Sequence, residues 1–380
     1  MASEIKHLRE TNVYSCLECG KCTGVCPVAR YSGTFSPRRI LSRALFNEPA
    51  DGNGAGSLWS CLTCGQCEEV CPSNIAYDRF IQMERQAIGA ENREGTCSHG
   101  GIIESISRLM TMENVNQNRL DWLDRSMVSD KSDYLFFTGC LPYFEVLFED
   151  IDAHPINIAH STLKILNHMG IKPQVMANER CCGHDFFWNG DYKMFEKLAR
   201  ANQTMIEKSG ATHVLTACPE CYRTIKQDYP AVTGKQSFQI MHISEFLAQN
   251  QEKLQLDHKK NGQTITYQDP CRLGRHMSVY EAPRQVLESL PGTSLSEMAH
   301  HGRRATCCGV SGWMNCSQVS KNIQANRLRE AHRTGADTLV TACVKCKIHL
   351  NCAMQDQALH DEVSLTVKDL TEVVADMLKI

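Results

Sequence analysis

CCGHDFFWNG (residues 181–190) and CCGVSGWMNC (residues 307–316) each place two adjacent cysteines and a glycine where a strand is predicted to give way to a helix. A disulfide between adjacent cysteines is strained, so it is a poor explanation for a pair that occurs twice. The role of the pairs therefore depends on the cysteines that accompany them.

Each pair belongs to a set of five cysteines that occurs twice in the same order. One cysteine precedes the pair and a C-x2-C motif follows it. The copies are offset by 131 residues at the first cysteine, 126 at the pair and 125 at the last two, which indicates duplication. The sets are Cys140, Cys181, Cys182, Cys218 and Cys221, and Cys271, Cys307, Cys308, Cys343 and Cys346.

Strand and helix patterns alternate within each copy. THVLTAC and DTLVTAC have the pattern of strands, and each is preceded by a long helical stretch. This alternation predicts an α/β unit with a mainly parallel sheet. The cysteines follow predicted strand ends, where the loops of such sheets gather binding groups.

Five thiols in one set exceed the four ligands of zinc and the four terminal ligands of a cubane cluster. Adjacent thiols could instead hold two irons, or one thiol could bridge between irons. The glycine after each pair allows the backbone to approach an inorganic core closely. Structural zinc in one copy remains an alternative.

The first hundred residues contain C-x2-C-x2-C-x3-C-P twice, as CLECGKCTGVCP from position 16 and CLTCGQCEEVCP from position 61. This is the bacterial ferredoxin spacing, in which the fourth cysteine of each run ligates the other cluster. Zinc knuckles usually use two separated cysteine pairs, which these runs do not match. The expected cubane ligands are Cys16, Cys19, Cys22 and Cys71 for one cluster, and Cys61, Cys64, Cys67 and Cys26 for the other.

The insert between the two runs has helical periodicity over Pro37–Phe46, followed by a Gly-rich loop. We therefore expect an α-helical ferredoxin domain, followed by two duplicated α/β units, and so a fold of the mixed α+β and α/β class. The expected ranges are residues 1–95 for the ferredoxin domain, 96–130 for a linker, 131–255 for the first unit and 256–380 for the second.

The composition supports metal ligation. The chain has 380 residues and 21 cysteines, and its N-terminal residues do not resemble a secretory signal. A reducing compartment disfavours structural disulfides, so a cytoplasmic location favours metal-bound thiols. The formal net charge of −3 disfavours a nucleic-acid partner, and no apolar run is long enough to span a membrane. We expect a cytoplasmic chain, free or held at a membrane by a partner.

The doubled C-xn-CCG-xn-C-x2-C pattern resembles the catalytic subunit of heterodisulfide reductase, and the ferredoxin runs resemble its small ferredoxin-like subunit. A chain with both is similar to the fused, D-type subunit of the membrane-linked enzyme. The resemblance implies that each five-cysteine set holds a noncubane 4Fe–4S cluster and that the ten cysteines are catalytic. It also implies four clusters in all, two cubane and two noncubane, with electrons passing through the cubanes to reduce a CoM–S–S–CoB type of disulfide.

Disulfide cleavage takes two electrons, whereas each cubane passes one, so the copies are expected to face each other across a pseudo-twofold axis. The sequence has no Gly-rich dinucleotide motif, so we expect no flavin or nicotinamide in this chain. By resemblance, the partner is the flavoprotein of heterodisulfide reductase or a membrane cytochrome b, with other redox subunits. The alternative is an electron-transfer role in a flavin-based bifurcating or benzoyl-CoA-reductase-type complex.

Several other residues stand out. His184 and His276 could donate protons to a leaving thiolate, although most histidines are structural or exposed. The basic stretch at residues 300–306 could attract an anion, but a solvated loop is the simpler interpretation. Trp188 and Trp313 are expected in the core, and the cysteines outside the motifs are expected to be ordinary small buried residues, namely Cys97, Cys316 and Cys352.

Overall fold

The computed structural model describes residues 7–46, 48, 58–88, 97–259, 263–314 and 316–379. The described part of the ferredoxin region contains helices and no strand, as the sequence predicts. The helix expected from the insert has the predicted bounds, whereas the Gly-rich loop after it lies outside the described residues. The helices whose bounds are described include α1 (Lys21–Val25), α2 (Pro27–Tyr31), α3 (Pro37–Phe46) and α4 (Tyr77–Ile88).

The first repeat is built on a parallel sheet in the order β1–β2–β3. Its central residues are apolar and fully buried, for example Leu135 and Val214, which are paired in register. An isolated parallel bridge from Leu135 to Gln174 extends the sheet on the far side of β1. The strands are β1 (Tyr134–Phe136), β2 (His213–Thr216) and β3 (Gln239–His242).

The second repeat has a parallel sheet in the order β5–β4–β6–β7. Strands β4, β6 and β7 correspond in order to β1, β2 and β3, and β5 occupies the place of the Gln174 bridge. The predicted duplication and the mixed α/β fold with parallel sheets are therefore confirmed. The strands are β4 (Thr264–Gln268), β5 (Ser294–Leu295), β6 (Thr338–Thr341) and β7 (Thr366–Asp369).

Helices cover both sheets and connect their strands. Those before and within the first repeat are α5 (Ile102–Leu109), α6 (Leu141–Leu147), α7 (Ile156–His168), α8 (His184–Trp188), α9 (Tyr192–Ser209), α10 (Pro219–Arg223), α11 (Pro230–Thr233) and α12 (Ile243–Gln249). Those of the second repeat are α13 (Glu281–Glu288), α14 (Gln318–His332), α15 (Val344–Met354), α16 (Gln357–Val363) and α17 (Leu370–Asp376).

The two repeats pack reciprocally. Helix α7 of the first repeat packs on α17 of the second, and α12 of the first packs on α13 of the second. Helix α7 has the same place in the first repeat as α13 has in the second, and α12 has the same place as α17. The two contacts are therefore equivalent. This arrangement gives the pair a pseudo-twofold axis, the relation seen when two copies share a self-complementary interface.

The segment predicted as a linker contacts the first repeat closely. Arg108, at the end of α5, forms an ion pair of 2.6 Å with Asp191. Arg119 is buried and forms an ion pair of 2.8 Å with Glu179, beneath the loop that carries Cys140. A buried arginine is stable only with its charge paired and its N–H groups bonded, so this segment is fixed to the repeat.

Candidate functional site

The five cysteines of the first set lie together at the carboxyl ends of the strands. Their side chains interact in the order Cys140, Cys181, Cys182, Cys221 and Cys218. Cys140 lies just before α6 and Cys218 just before α10, so both helices begin at a proposed ligand. A Cβ at residue 139 would lie 3.0 Å from the Cys221 Sγ, so glycine is needed there for the thiols to approach the backbone.

The second set repeats this arrangement in the same order, as Cys271, Cys307, Cys308, Cys346 and Cys343. The Sγ atoms of Cys346 and Cys308 are 3.1 Å apart. Cys343 precedes α15 as Cys218 precedes α10. The structure thus brings each predicted set together separately and arranges both in the same way.

The sets approach each other near the pseudo-twofold axis. Cys218 of the first set is near enough to Cys343 of the second to affect its ionisation. The gap beside them holds a buried ionic cluster in which the Lys345 Nζ lies 2.5 Å from Asp185 and 2.6 Å from Glu220. One residue of the second repeat therefore forms ion pairs with two carboxyl groups of the first.

Burial and pairing set the charges of this cluster. Burial raises the pKa of Glu220 to about 7. Burial alone would lower the pKa of Lys345, but the carboxylates of Asp185 and Glu220 raise it well above its ordinary value. His184 bonds Asp185 at 2.9 Å, and burial lowers its pKa to about 3, so the imidazole is neutral.

His184, Asp185 and Glu220 also place possible ligand atoms within 4.8 Å of one another. The Lys345 ammonium already contacts both carboxylates, so it satisfies the charge that a cation would otherwise neutralise. This cluster is therefore best described as an ion-paired junction between the repeats.

The ferredoxin cysteines line two cavities. Cys16, Cys19, Cys22 and Cys71 line one cavity, which Cys67 also lines. Cys26, Cys61, Cys64 and Cys67 line the other. The fourth cysteine of each run thus faces the cavity of the opposite run, in the pattern that the spacing predicts.

The second ferredoxin cavity adjoins the second cysteine set. Cys64 lies beside Cys307, and the two thiols affect each other's ionisation. Two arginines of the second repeat hold this junction. Arg272 donates to the Thr63 carbonyl at 2.8 Å and to its hydroxyl at 2.7 Å, and Arg275 donates to the Cys64 carbonyl at 2.6 Å.

Sequence reasoning missed the arginines that position the cysteine loops. Arg85 donates from its guanidinium to the carbonyls of Leu58, Cys61 and Trp188, which joins α4 to the first repeat. Arg119 donates to the Gly139 carbonyl beside Cys140 at 2.6 Å. Nothing in the local sequence marks these residues, because their partners are distant along the chain.

The two tryptophans and His276 contact packed side chains and backbone groups. Trp188 is buried, with the guanidinium of Arg272 4.1 Å from its ring centroid. Trp313 is also buried and stacks on Phe148 at 5.0 Å. His276 contacts the Thr63 carbonyl at 3.0 Å, at the ferredoxin junction.

The three cysteines outside the motifs differ from one another. Cys97 is half-buried and donates to Glu104 at 2.9 Å. Cys352 is half-buried and accepts from the Lys321 ammonium at 3.0 Å. Cys316 is exposed, so the expectation that it is a buried residue was wrong.

The basic stretch before the second pair faces the ferredoxin region. Arg303 forms an ion pair of 2.9 Å with Glu69 while remaining largely exposed. Burial of this pair is slight, so its contribution to stability is small. The stretch lines an open cleft with Arg30 and Glu69, and its histidine and arginine residues are exposed, whereas Ala305 is buried.

The donor groups fit iron–sulfur clusters. All 21 cysteines are thiols rather than disulfides, and in each repeat four of the five set members are buried. Buried thiolates need compensating cations, and soft sulfur donors suit iron–sulfur clusters or zinc. Five donors per set exceed the requirement of zinc, and the glycine beside Cys221 leaves room for a larger core.

Two family models match the chain. A 4Fe-4S dicluster domain covers residues 12–75, and a cysteine-rich domain matches twice, at residues 134–226 and 265–351. The D-type subunit of the dihydromethanophenazine:CoB–CoM heterodisulfide reductase of Methanosarcina mazei is 33% identical over 272 residues. This chain is homologous to the D-type heterodisulfide reductase subunits.

That alignment covers 69% of this chain and 63% of the relative, so the chain matches less than two thirds of the relative's length. The B-type subunit of a fumarate reductase (CoM/CoB) from Methanothermobacter marburgensis is 26% identical, with 94% of this chain and 71% of the relative covered. A probable iron–sulfur-binding oxidoreductase of Bacillus subtilis is 25% identical, with 98% of this chain and 61% of the relative covered. The homologues are thus oxidoreductase subunits from archaea and bacteria.

The described helices include none with the length and apolarity needed to cross a membrane.

Proposed function

We propose that this chain is the disulfide-reducing iron–sulfur subunit of a heterodisulfide-reductase-like complex. The observation that carries the proposal is the meeting of two matching five-cysteine sets across a pseudo-twofold axis, with the second ferredoxin cavity beside one of them. When bound, two cubane and two noncubane 4Fe–4S clusters would carry single electrons and supply the reducing centres for a disulfide of the CoM–S–S–CoB type.

The grouping of the cysteines supports the ligand sets that we propose. The domain ranges proposed with them are residues 1–95, 131–255 and 256–380, with 96–130 between. The cubane ligands are Cys16, Cys19, Cys22 and Cys71, and Cys61, Cys64, Cys67 and Cys26. The noncubane ligands, also proposed as catalytic, are Cys140, Cys181, Cys182, Cys218 and Cys221, and Cys271, Cys307, Cys308, Cys343 and Cys346.

The order in which these sites adjoin one another supports a single route for electron transfer. The first ferredoxin cavity shares Cys67 and Tyr77 with the second, the second adjoins Cys307 through Cys64, and Cys343 approaches Cys218. A route from the surface inward would pass these sites in that order. Electrons would enter from a partner flavoprotein or membrane cytochrome b.

The chemistry requires two electrons and two protons. One disulfide S–S bond breaks, each sulfur gains one electron, and the two thiolates take up a proton each. Two sites facing each other can supply the electrons without releasing a one-electron intermediate. The residues of this chain contribute by holding the sets together, chiefly through Lys345 and the arginines at Thr63 and Cys64.

A second candidate is an electron-transfer role that serves chemistry elsewhere in a complex. The similarity to a fumarate reductase (CoM/CoB) favours it, because that name joins CoM and CoB to fumarate reduction. In this case the clusters would pass electrons to or from a reaction in another polypeptide. The same ten cysteines would be needed as cluster ligands in either role.

The test is a disulfide-dependent oxidation assay. The protein, purified without oxygen, is reduced with a viologen dye, and the heterodisulfide or a simple disulfide is then added. We expect dye oxidation specific to the heterodisulfide, lost in Cys181→Ser and in Cys307→Ser but retained in Cys97→Ser. No turnover by wild-type protein with full iron content would contradict disulfide reduction and favour the second candidate.

A further inference from the structure

Tyr77 lies between the two ferredoxin cavities. Its side chain lines the cavity of Cys16, Cys19, Cys22 and Cys71 and also the cavity of Cys26, Cys61, Cys64 and Cys67. The residue is only 4% exposed. A single phenol ring thus forms part of the wall of both proposed cubane sites.

The hydroxyl of Tyr77 is buried and has no hydrogen-bond partner among the described residues. Buried hydroxyl groups in folded proteins nearly always have a partner, and an exception needs a specific explanation. Tyrosine would gain nothing over phenylalanine here unless its O–H bonded to something within the cavities. Each cavity is lined by several cysteines, beside polar residues such as Glu18 in the first and Gln66 and Asp78 in the second.

The backbone holds Tyr77 in place. It is the first residue of α4, and the preceding Ala76 N–H donates to the Thr11 carbonyl at 3.1 Å. Its ring packs against Phe80 at 6.0 Å, one turn further along the helix. At the other end of α4, Arg85 bonds the carbonyl of Cys61 at 2.7 Å. The helix is therefore fixed to the loop that carries the second run of cysteines.

The second cavity is the one more closely tied to Tyr77. The next residue, Asp78, also lines that cavity, and α4 is fixed through Arg85 to the carbonyl of Cys61. A phenol keeps its proton near neutral pH, so the hydroxyl is a hydrogen-bond donor. Cys61 already accepts one backbone bond, from the Thr63 N–H at 3.3 Å.

We propose that the Tyr77 hydroxyl donates a hydrogen bond to a sulfur of the cluster held by Cys26, Cys61, Cys64 and Cys67, and so raises its reduction potential. A hydrogen bond to sulfur stabilises the reduced cluster more, because that state carries one more negative charge. Reduction of the second cubane becomes easier relative to the first, which favours electron flow toward Cys307. This inference rests on the proposed cubane sites. It goes beyond them because it assigns a residue that sets the relative reduction potentials of the two cubanes.

The experiment compares Tyr77→Phe with wild type by redox titration followed by electron paramagnetic resonance. Phenylalanine keeps the ring and removes only the hydroxyl. At a fixed solution potential, the ratio of reduced to oxidised second cubane is expected to fall about threefold to tenfold, the effect of one net hydrogen bond. The potential of the other cubane is expected to stay the same, as is the iron content. Tyr14→Phe is the matched control, since Tyr14 is exposed and adjoins the first run.

A second readout is the exchangeable proton. In wild type, transfer to D₂O is expected to replace one more proton coupled to the reduced second cubane than it replaces in Tyr77→Phe. Unchanged potentials and an unchanged proton coupling in a variant with full iron content would overturn the inference. Loss of cubane signals from wild type itself would instead contradict the proposed function, so the two failures are distinguishable.

Discussion

Lys345 shows how one residue joins the two cysteine sets. Its ammonium contacts Asp185 and Glu220 of the other repeat, and all three side chains are largely buried. Such a pair adds little net stability compared with apolar residues of the same size, but removing one partner leaves an uncompensated charge. Removing this residue alone is therefore expected to destabilise the fold, although the ion pairs add little net stability.

Lys345→Met is expected to lower stability by about 3–5 kcal/mol, because two buried carboxylates lose their counter-charge. The midpoint of thermal unfolding, measured without oxygen, checks this. Lys368→Met is the control, since Lys368 pairs with Asp376 at an exposed site and is expected to change stability by about 0.5 kcal/mol or less. Equal effects of the two variants would contradict the account of the junction.

At the residue scale, the sequence predicts well which cysteines lie together, and it predicts the residues that support them poorly. The cysteines are recognisable because metal ligation imposes fixed local spacings, such as C-x2-C. Arg119, Arg85 and Arg272 are not, because each acts on a loop that only the folded chain brings near. Arg272, for example, bonds Thr63 across 209 positions.

At the scale of elements, glycine positions mark where helices and loops come close. Gly190 follows α8 with a φ of +85°, and a Cβ there would lie 2.5 Å from the Arg85 backbone of α4. Gly210 ends α9 with a φ of +74°, but a Cβ there would meet nothing within 4 Å. The two glycines share a left-handed conformation and differ in the space around them.

Gly190→Ala is expected to cost about 2–5 kcal/mol, because the left-handed strain adds to a clash between α4 and the first repeat. Gly210→Ala is expected to cost about 1–2 kcal/mol, from the left-handed strain alone. Thermal unfolding of both variants without oxygen measures the difference. A cost for Gly190→Ala no larger than for Gly210→Ala would show that α4 does not pack on this loop.

The ends of a helix are predictable from the sequence where the local sequence pattern is strong. Helix α3 has the bounds that its periodicity predicts, because a prolyl start and apolar residues one turn apart define it locally. The segment before the first repeat has no such pattern beyond α5, so its close packing through Arg119 is not predictable. Its position depends on the buried Glu179, which lies 60 residues away.

At the scale of the whole molecule, duplication explains the arrangement of the sites. Each repeat places five thiols at the carboxyl ends of its strands, and the reciprocal packing of α7 on α17 and α12 on α13 brings the two ends together. The sequence predicts that the sets face each other, since a two-electron reaction needs both. It does not predict that the ferredoxin region joins the second repeat through Cys64 and Cys307.

The central claim is that each five-cysteine set holds its own iron–sulfur cluster. The most direct measurement is the iron, sulfide and zinc content of anaerobically purified protein, compared with Cys181→Ser, Cys307→Ser and Cys97→Ser. We predict about 16 irons per chain in wild type and in Cys97→Ser, about 12 in either of the other variants, and no zinc. About 8 irons with one or two zinc ions in wild type would contradict the claim, because the repeats would then hold zinc sites.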